Sequence, residues 1–206
     1  MLMANHRAIK TACEGVLQIL ESNYHVADFN NTSLQFKVYL ADDFINPIKA
    51  GVSLFLYRVY INTGHRTPGG RIGPSGQRFQ TQLPLDLHFL LTAWAKDASL
   101  QHTIAGWMMR TMEDTPILPS GLLNGLDPDV FQPDETLEIT VGELKNEDMI
   151  GIWRDMLEKK YQLSVPYIAR NLRIESSRTL TETGTAVQER KMGFKPEVEQ
   201  RNEHEL

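Results

Sequence analysis

Apolar and polar positions along this chain follow two different periods, and the change between them locates the core. From Leu83 to Ala93, apolar side chains fall at every second residue: Leu83, Leu85, Leu87, Phe89, Leu91 and Ala93. That is strand spacing. The opposite face holds Asp86, His88, Leu90, Thr92 and Trp94, polar at first and apolar later. The far end of this strand is therefore expected to be covered on both sides. After Lys96-Asp97 the period becomes helical, with Leu100, Ile104, Trp107, Met108 and Met112 on one face. Asp97 is placed to cap the helix, and Pro116 limits its length.

The rest of the chain repeats these two patterns. Ile9, Ala12, Cys13, Val16, Leu17 and Leu20 form the apolar stripe of a helix over residues 4–24. Leu34, Phe36, Val38 and Leu40 alternate with polar residues as a half-buried strand. Residues 51–62 (GVSLFLYRVYIN) form a strand with Val52, Leu54 and Leu56 on one side and Phe55, Tyr57, Val59 and Ile61 on the other. Two apolar faces predict a place in the middle of a sheet. Residues 63–82 carry five glycines and two prolines and predict a long loop. Residues 117–135 are turn-rich and read as irregular. A short strand follows at 136–141, then a helix capped by Asn146 with Trp153 and Met156 in its stripe. Residues 165–174 read as a last core strand, with Pro166 favouring an edge position.

The expected fold is α/β in the α+β sense. It has a single mixed β-sheet of about four to six strands packed by about three helices. A long Gly-rich loop interrupts it. The domain is expected to span residues 1–175. Residues 176–206 form a polar C-terminal arm, extended or partly disordered, because its few apolar residues cannot build a core.

Composition narrows the chemistry. The net charge of −5 argues against nucleic acid as an obligate partner. The single cysteine, Cys13, fits a reducing compartment and sits on the apolar side of its helix as a small hydrophobe. The N-terminal stretch lacks the apolar run of a signal peptide, and no apolar run approaches the ~18 residues of a membrane span.

No motif points to a reaction. Gly70, Gly73 and Gly76 are regularly spaced, but neither a P-loop Gly-Lys-Ser/Thr nor a Rossmann fingerprint accompanies them. Asp86 and His88 share a strand face as two metal ligands would, yet neither His102 nor Glu113 completes a known motif with them. Asp127, Asp129 and Asp134 are interrupted by prolines and lack the Gly and Glu of an EF-hand. No nucleophile has a partner base at a known spacing. The residues themselves thus predict no catalytic group, no cofactor and no metal.

Several stretches carry a resemblance. GVSLFLYRVYIN, the Gly/Arg loop, LPLDLHFLLTAWAKDASLQHTIAGWMMRTMEDTPIL, EDMIGIWRDML and PYIARNLRIES are similar to the tail-terminator or cap proteins of extracellular contractile injection systems. These are particles like the antifeeding prophage and the Photorhabdus virulence cassettes. The similarity covers roughly residues 5–195, and LPLDLHFLLTAWA is its most specific part.

The resemblance implies a structural protein, not an enzyme. It implies a homohexameric ring that caps the distal end of inner tube and sheath and stops their polymerisation. Its partners would be itself and the sheath and inner-tube proteins. Assembly would be cytoplasmic, within a particle later released. A closed heterologous ring needs two different mating surfaces on each subunit. The candidates are Arg66, Arg71 and Arg78 in the loop and Val187, Arg190, Lys191 and Phe194 in the arm. Residues 185–194 are expected to add as a strand to an open sheet edge. The alternatives are a baseplate or adaptor component of the same particle, or a small metal-dependent hydrolase using Asp86, His88 and His102.

Overall fold

The computed structural model describes residues 4–66, 71–72, 76, 78–156, 161–176 and 178. Its frame is a six-stranded sheet. The strands are β1 (Gln35–Tyr39), β2 (Gly51–Ile61), β5 (Leu83–Trp94), β6 (Ile117–Pro119), β7 (Thr136–Val141) and β8 (Ser164–Ile174). They lie in the order β1-β2-β5-β8-β7-β6. The β1–β2 pair is parallel, and the other pairs are antiparallel. Two short strands, β3 (Arg71–Ile72) and β4 (Arg78–Phe79), pair as a separate hairpin inside the Gly-rich stretch. Four α-helices complete the described chain: α1 (Ala8–Ser22), α2 (Ala98–Asp114), α3 (Ser120–Leu126) and α4 (Asn146–Gly151). The mixed sheet and helical layer match the expected fold class, with one more helix than the periodicity indicated.

The main core lies between one sheet face and α1, α2 and α3. Leu54, Leu87, Phe89 and Leu91 from the sheet meet Ala12, Val16, Leu20, Ile104 and Met108 from the helices, all buried. The helix stripes read from the sequence are the ones that face this layer. Asp97 caps α2 as expected, with the Leu100 N–H donating to Asp97 Oδ1 at 2.9 Å. Gly15 lets α1 approach α3: a Cβ there would lie 2.7 Å from Leu123 Cδ2.

The other sheet face is covered over only part of its length. The 3-10 turn Ala41–Phe44, α4 and the π-helical turn Ile152–Met156 that continues it cover the end near Gly51 and Trp94. Tyr39, Phe44, Phe55, Leu90, Trp94 and Trp153 form a buried, mostly aromatic cluster there. The Trp94 Nε1–H donates to Ser53 Oγ at 2.7 Å. β5 accordingly begins with half-buried Asp86 and His88 and is buried on both faces from Phe89 onward, as its pattern predicted.

Five expectations need correction, the last in the stretch 117–135. A bulge between Leu56 and Arg58 adds one residue to β2, so Val59 pairs with Leu87 and Ile61 with Leu85. Val59 and Ile61 therefore lie on the helix side, not with Phe55 and Tyr57. The alternating face of β1 buries Leu34 but leaves Leu40 75% exposed, because β1 is an edge strand and the helices do not reach that far. β8 is internal, flanked by β5 and β7. Pro166 is tolerated there because it lies just past Val141, the last paired residue of β7, where Gly142 N–H donates to the Pro166 carbonyl. Asn146 does not cap α4: it is the first helical residue, after Lys145.

The stretch 117–135, read as irregular, forms β6 and α3. α3 is short and holds two glycines, so no local propensity announces it. Tertiary bonds fix it: the Asn124 amide donates to the Phe131 carbonyl at 2.7 Å and accepts from the Phe131 N–H at 2.8 Å.

Candidate assembly interface

The feature that departs most from an ordinary surface is the sheet end farthest from the aromatic cluster. Here β2 leaves through the short 3-10 turn Thr63–His65, β5 enters at Leu83 and β8 finishes at Ile174. Arg66 follows the turn and is exposed; Arg71 lies in β3 and Arg78 in β4, where Arg78 pairs with Ile72. All three loop arginines lie in the segment that joins β2 to β5. Val187, Arg190, Lys191 and Phe194, and the C-terminal arm beyond Arg178, lie outside the described residues.

The sheet brings further arginines to the same end. Arg58 stands on the uncovered face of β2, opposite His88 of β5. Arg170 and Arg173 come from β8, and the Arg178 carbonyl accepts from the Gln80 N–H at 3.1 Å, which holds the chain beside β4. Local reading of the sequence could not join these to the loop, because the joining is done by strand pairing over more than eighty residues. One signal was legible: no lysine occurs in residues 51–95 or 161–190, although arginine recurs in both.

The arginine side chains are oriented. Arg58 Cζ lies 5.2 Å from the Tyr60 ring centroid. Arg170 Nε donates to Thr140 Oγ1 at 3.0 Å, and Arg173 Nε to Asn171 Oδ1 at 3.2 Å. Among the described residues Arg58, Arg170 and Arg173 form no ion pair.

Asp86 and His88 have different roles from a metal pair. Register shifts between Leu85 and Leu87, where β8 carries an extra residue opposite Asp86. Asn171 takes the left-handed conformation there, φ 59°. Its N–H donates to Asp86 Oδ1 at 2.8 Å, and Asn62 Nδ2 donates to Asp86 Oδ2 at 3.0 Å. Both oxygens thus hold the bulge and the end of β2 in place. His88 packs edge-on to Tyr57, with ring centroids 6.1 Å apart. Its pKa is lowered, first by burial and then by Arg58, against the opposing pull of Asp86, with Arg170 lowering it further. His102 belongs to α2 on the opposite side of the sheet, so it does not converge with them. No cluster of three metal-ligating side chains occurs among the described residues. Burial raises the Cys13 thiol to about 12.

Two strand edges are also open within the described residues: β1 at one margin and the three-residue β6 at the other. Beside β1, Leu40 and Ile45 are exposed apolar residues. No helix is long and apolar enough to cross a membrane among the described residues.

The sequence profile of the Pvc16 N-terminal domain matches residues 22–188. Two solved structures share the fold. One is the PVC sheath/tube terminator in the extended state, from an extracellular contractile injection system. It is 12% identical with a TM-score of 0.58, and the alignment covers 94% of this chain and 67% of that one. The other is the anti-feeding prophage cap, a tube-terminating cap. It is 16% identical with a TM-score of 0.54, covering 89% of this chain and 60% of that one. The chain thus spans about two thirds of the length of the first and 60% of the second. No curated protein matches the sequence significantly. The profile match takes in β1 to β8 and the whole sheet end described above, and it assigns the chain to the Pvc16 N-terminal domain family.

Proposed function

We propose that this protein is a structural assembly component that caps the distal end of a contractile, phage-tail-like particle, terminating polymerisation of its inner tube and sheath. The observation that carries this reading is the shared fold over nearly the whole chain with a sheath/tube terminator and a tube-terminating cap, within a matching family. The protein works by presenting surfaces, not by turning over a substrate.

The capping form is a homohexameric ring. Such a ring is closed and heterologous, so each subunit joins its neighbours through two different surfaces. The arginine-bearing sheet end and the open β1 edge with Leu40 and Ile45 are separate surfaces that suit this need. The arm at 176–206, through residues 185–194 with Val187, Arg190, Lys191 and Phe194, supplies a strand to an open edge of a neighbouring subunit or of sheath. Inner-tube and sheath proteins are the other partners. Assembly takes place in the producing cell's cytoplasm, and the ring leaves as part of the released particle.

Deleting the gene and imaging the particles by electron microscopy tests the reading. Tubes and sheaths of uncontrolled length are expected. Particles of normal length with normal caps would refute it. Visualising a labelled copy at the baseplate end would favour the baseplate or adaptor role instead. Truncation after Glu175 tests the arm: rings that still cap particles of normal length would remove it from the mechanism.

A further inference from the structure

We propose that the arginine end of the sheet docks a carboxylate-rich, extended segment of a partner protein. This deepens the assembly reading by naming the chemistry of one surface, and it rests on that reading only in expecting the partner to be a protein.

The argument starts from composition. The chain carries net charge −5, yet Arg58, Arg170 and Arg173 share one face at one end of the sheet, and no lysine occurs in residues 51–95 or 161–190. Arginine and lysine supply the same charge to a solvated surface. Arginine alone offers a planar fork of donors that fits a carboxylate bidentately and is weakly hydrated enough to be buried at an interface.

The geometry agrees. Among the described residues Arg170 and Arg173 each use only Nε in a bond to a neighbouring side chain, which fixes the plane of the guanidinium and leaves its Nη donors to a partner. Arg58 is set by the Tyr60 ring. These side chains rise from β2 and β8, the two strands that flank β5, on the face that carries His88. Among the described residues no carboxylate forms an ion pair with them. Asp86 is engaged by Asn171 and Asn62, and Glu175 accepts from Gln82 Nε2 at 2.9 Å. Glu138 stands opposite Arg170 in register without forming an ion pair. Burial is the first cause of the lowered His88 pKa; Arg58 and then Arg170 lower it further, with Asp86 opposing them.

A carboxylate partner is favoured over a nucleic-acid phosphate backbone because the whole chain is acidic. A long polyanion would meet the repulsion of the remaining surface, whereas a short acidic segment meets only this end.

The test uses the full-length chain and fluorescein-labelled octaglutamate, followed by anisotropy at low and physiological salt. Saturable binding is expected. It should weaken about tenfold in Arg58→Gln/Arg170→Gln, which loses two charge-assisted contacts. Arg58→Lys/Arg170→Lys should show an intermediate loss, because charge remains and the fork is gone. The control is Lys37→Gln/Lys49→Gln/Lys96→Gln, altering three lysines that line a cavity of about 690 Å³ at the opposite end of β2 and β5. That variant should bind as the wild type does.

Unchanged affinity in the arginine-to-glutamine variant, or a larger loss in the lysine control, would overturn the proposal. So would equal or tighter binding of a single-stranded DNA octamer. If circular dichroism shows the glutamine variant unfolded, the lysine pair carries the test, and unchanged affinity there refutes the bidentate contact. Sedimentation velocity of the same samples shows whether a second copy supplies the acidic segment: dissociation on adding octaglutamate supports a copy as occupant. Particle length in the gene deletion does not enter these readouts, so the docking chemistry and the capping role can fail separately.

Discussion

Replacing Gly51 with alanine should be among the most destabilising small changes in this fold. Gly51 opens β2 with φ +139°, a conformation that L-residues rarely adopt. It sits directly opposite Gln35 in the parallel β1–β2 pair. A Cβ built on it would lie 1.9 Å from the Gln35 carbonyl oxygen, 2.6 Å from its nitrogen and 2.8 Å from its carbonyl carbon. All three atoms are backbone, so no rotamer change relieves the contact. β1 must move, and the bond from Gln35 N–H to the Ala50 carbonyl, 3.0 Å, is first to be lost. Backbone strain costs about 1–3 kcal/mol and a broken ladder bond about 1 kcal/mol more, so a total of about 3 kcal/mol is expected. Against a typical stability of about 5–15 kcal/mol this is large. Urea unfolding followed by tryptophan fluorescence is the assay. With a slope of about 2 kcal/mol per molar, the midpoint should fall by about 1.5 M. Gly106→Ala is the control: Gly106 is exposed inside α2, and a Cβ there meets nothing within 4 Å. It should raise stability by about 0.5–1 kcal/mol. A Gly51→Ala midpoint within about 0.3 M of wild type would refute the reasoning, since a clash of this size leaves no cheap relaxation.

Three further expectations follow from single contacts. Trp94→Phe should cost about 1–2 kcal/mol more than Trp153→Phe in the same unfolding assay, although both sites lie in the aromatic cluster: Trp94 loses its bond to buried Ser53, whereas Trp153 Nε1 is buried without a partner among the described residues. Asp86→Ala should cost about 2 kcal/mol by freeing the Asn171 N–H at the β8 bulge, and metal analysis of purified wild type should show no stoichiometric metal for it to release; stoichiometric metal lost in His88→Ala would revive the hydrolase alternative. Native Cys13 should resist alkylation at pH 8 and react only as fast as the chain unfolds, because burial holds its pKa at about 12 against the ordinary 9.0. Since the folded-state value is the higher one, this thiol's contribution to stability is complete below about pH 9 and is lost as pH rises toward 12, which a pH series of urea midpoints should show once the Cys13→Ser series is subtracted.

The sequence disclosed those parts of the fold in which one local rule governs a whole element. β5 is one such element: its change from half-buried to fully buried appears residue by residue in the order Asp86, His88, Leu90, Thr92, Trp94. The α2 cap at Asp97 is another, because the carboxylate and the amide it accepts lie three residues apart. What stayed hidden depends on partners distant in sequence. α3 owes its form to Asn124 bridging Val130 and Phe131. The reversal of Val59 and Ile61 comes from an extra residue in β2 that alternation alone cannot reveal, since Tyr57 and Arg58 both sit beside the open face. At the candidate interface the loop arginines were legible because they share one Gly-rich stretch. Arg58, Arg170 and Arg173 were not, because β5 must first pair with both β2 and β8 to bring them together.

The two bulges connect these observations. If β2 alternated strictly from Leu56, with no bulge, Arg58 would fall on the helix side, where Leu87 and its neighbours are buried. Without the extra residue opposite Asp86, Arg173 would leave the open face of β8, because a one-residue slip exchanges the two faces of everything beyond it. Both irregularities lie at the same end of the sheet, and the carboxylate that fixes one of them, Asp86, is also tied to the loop by Asn62. The core half of each strand keeps strict alternation and supplies stability. The outer half breaks it and thereby turns arginines of β2 and β8, on either side of β5, onto one face. Bulges cost ladder bonds and are kept where they aim side chains. Their placement lets β2 and β8 present charge on one face of this end, while Leu85, Leu87 and Leu172 on the other face stay in the core.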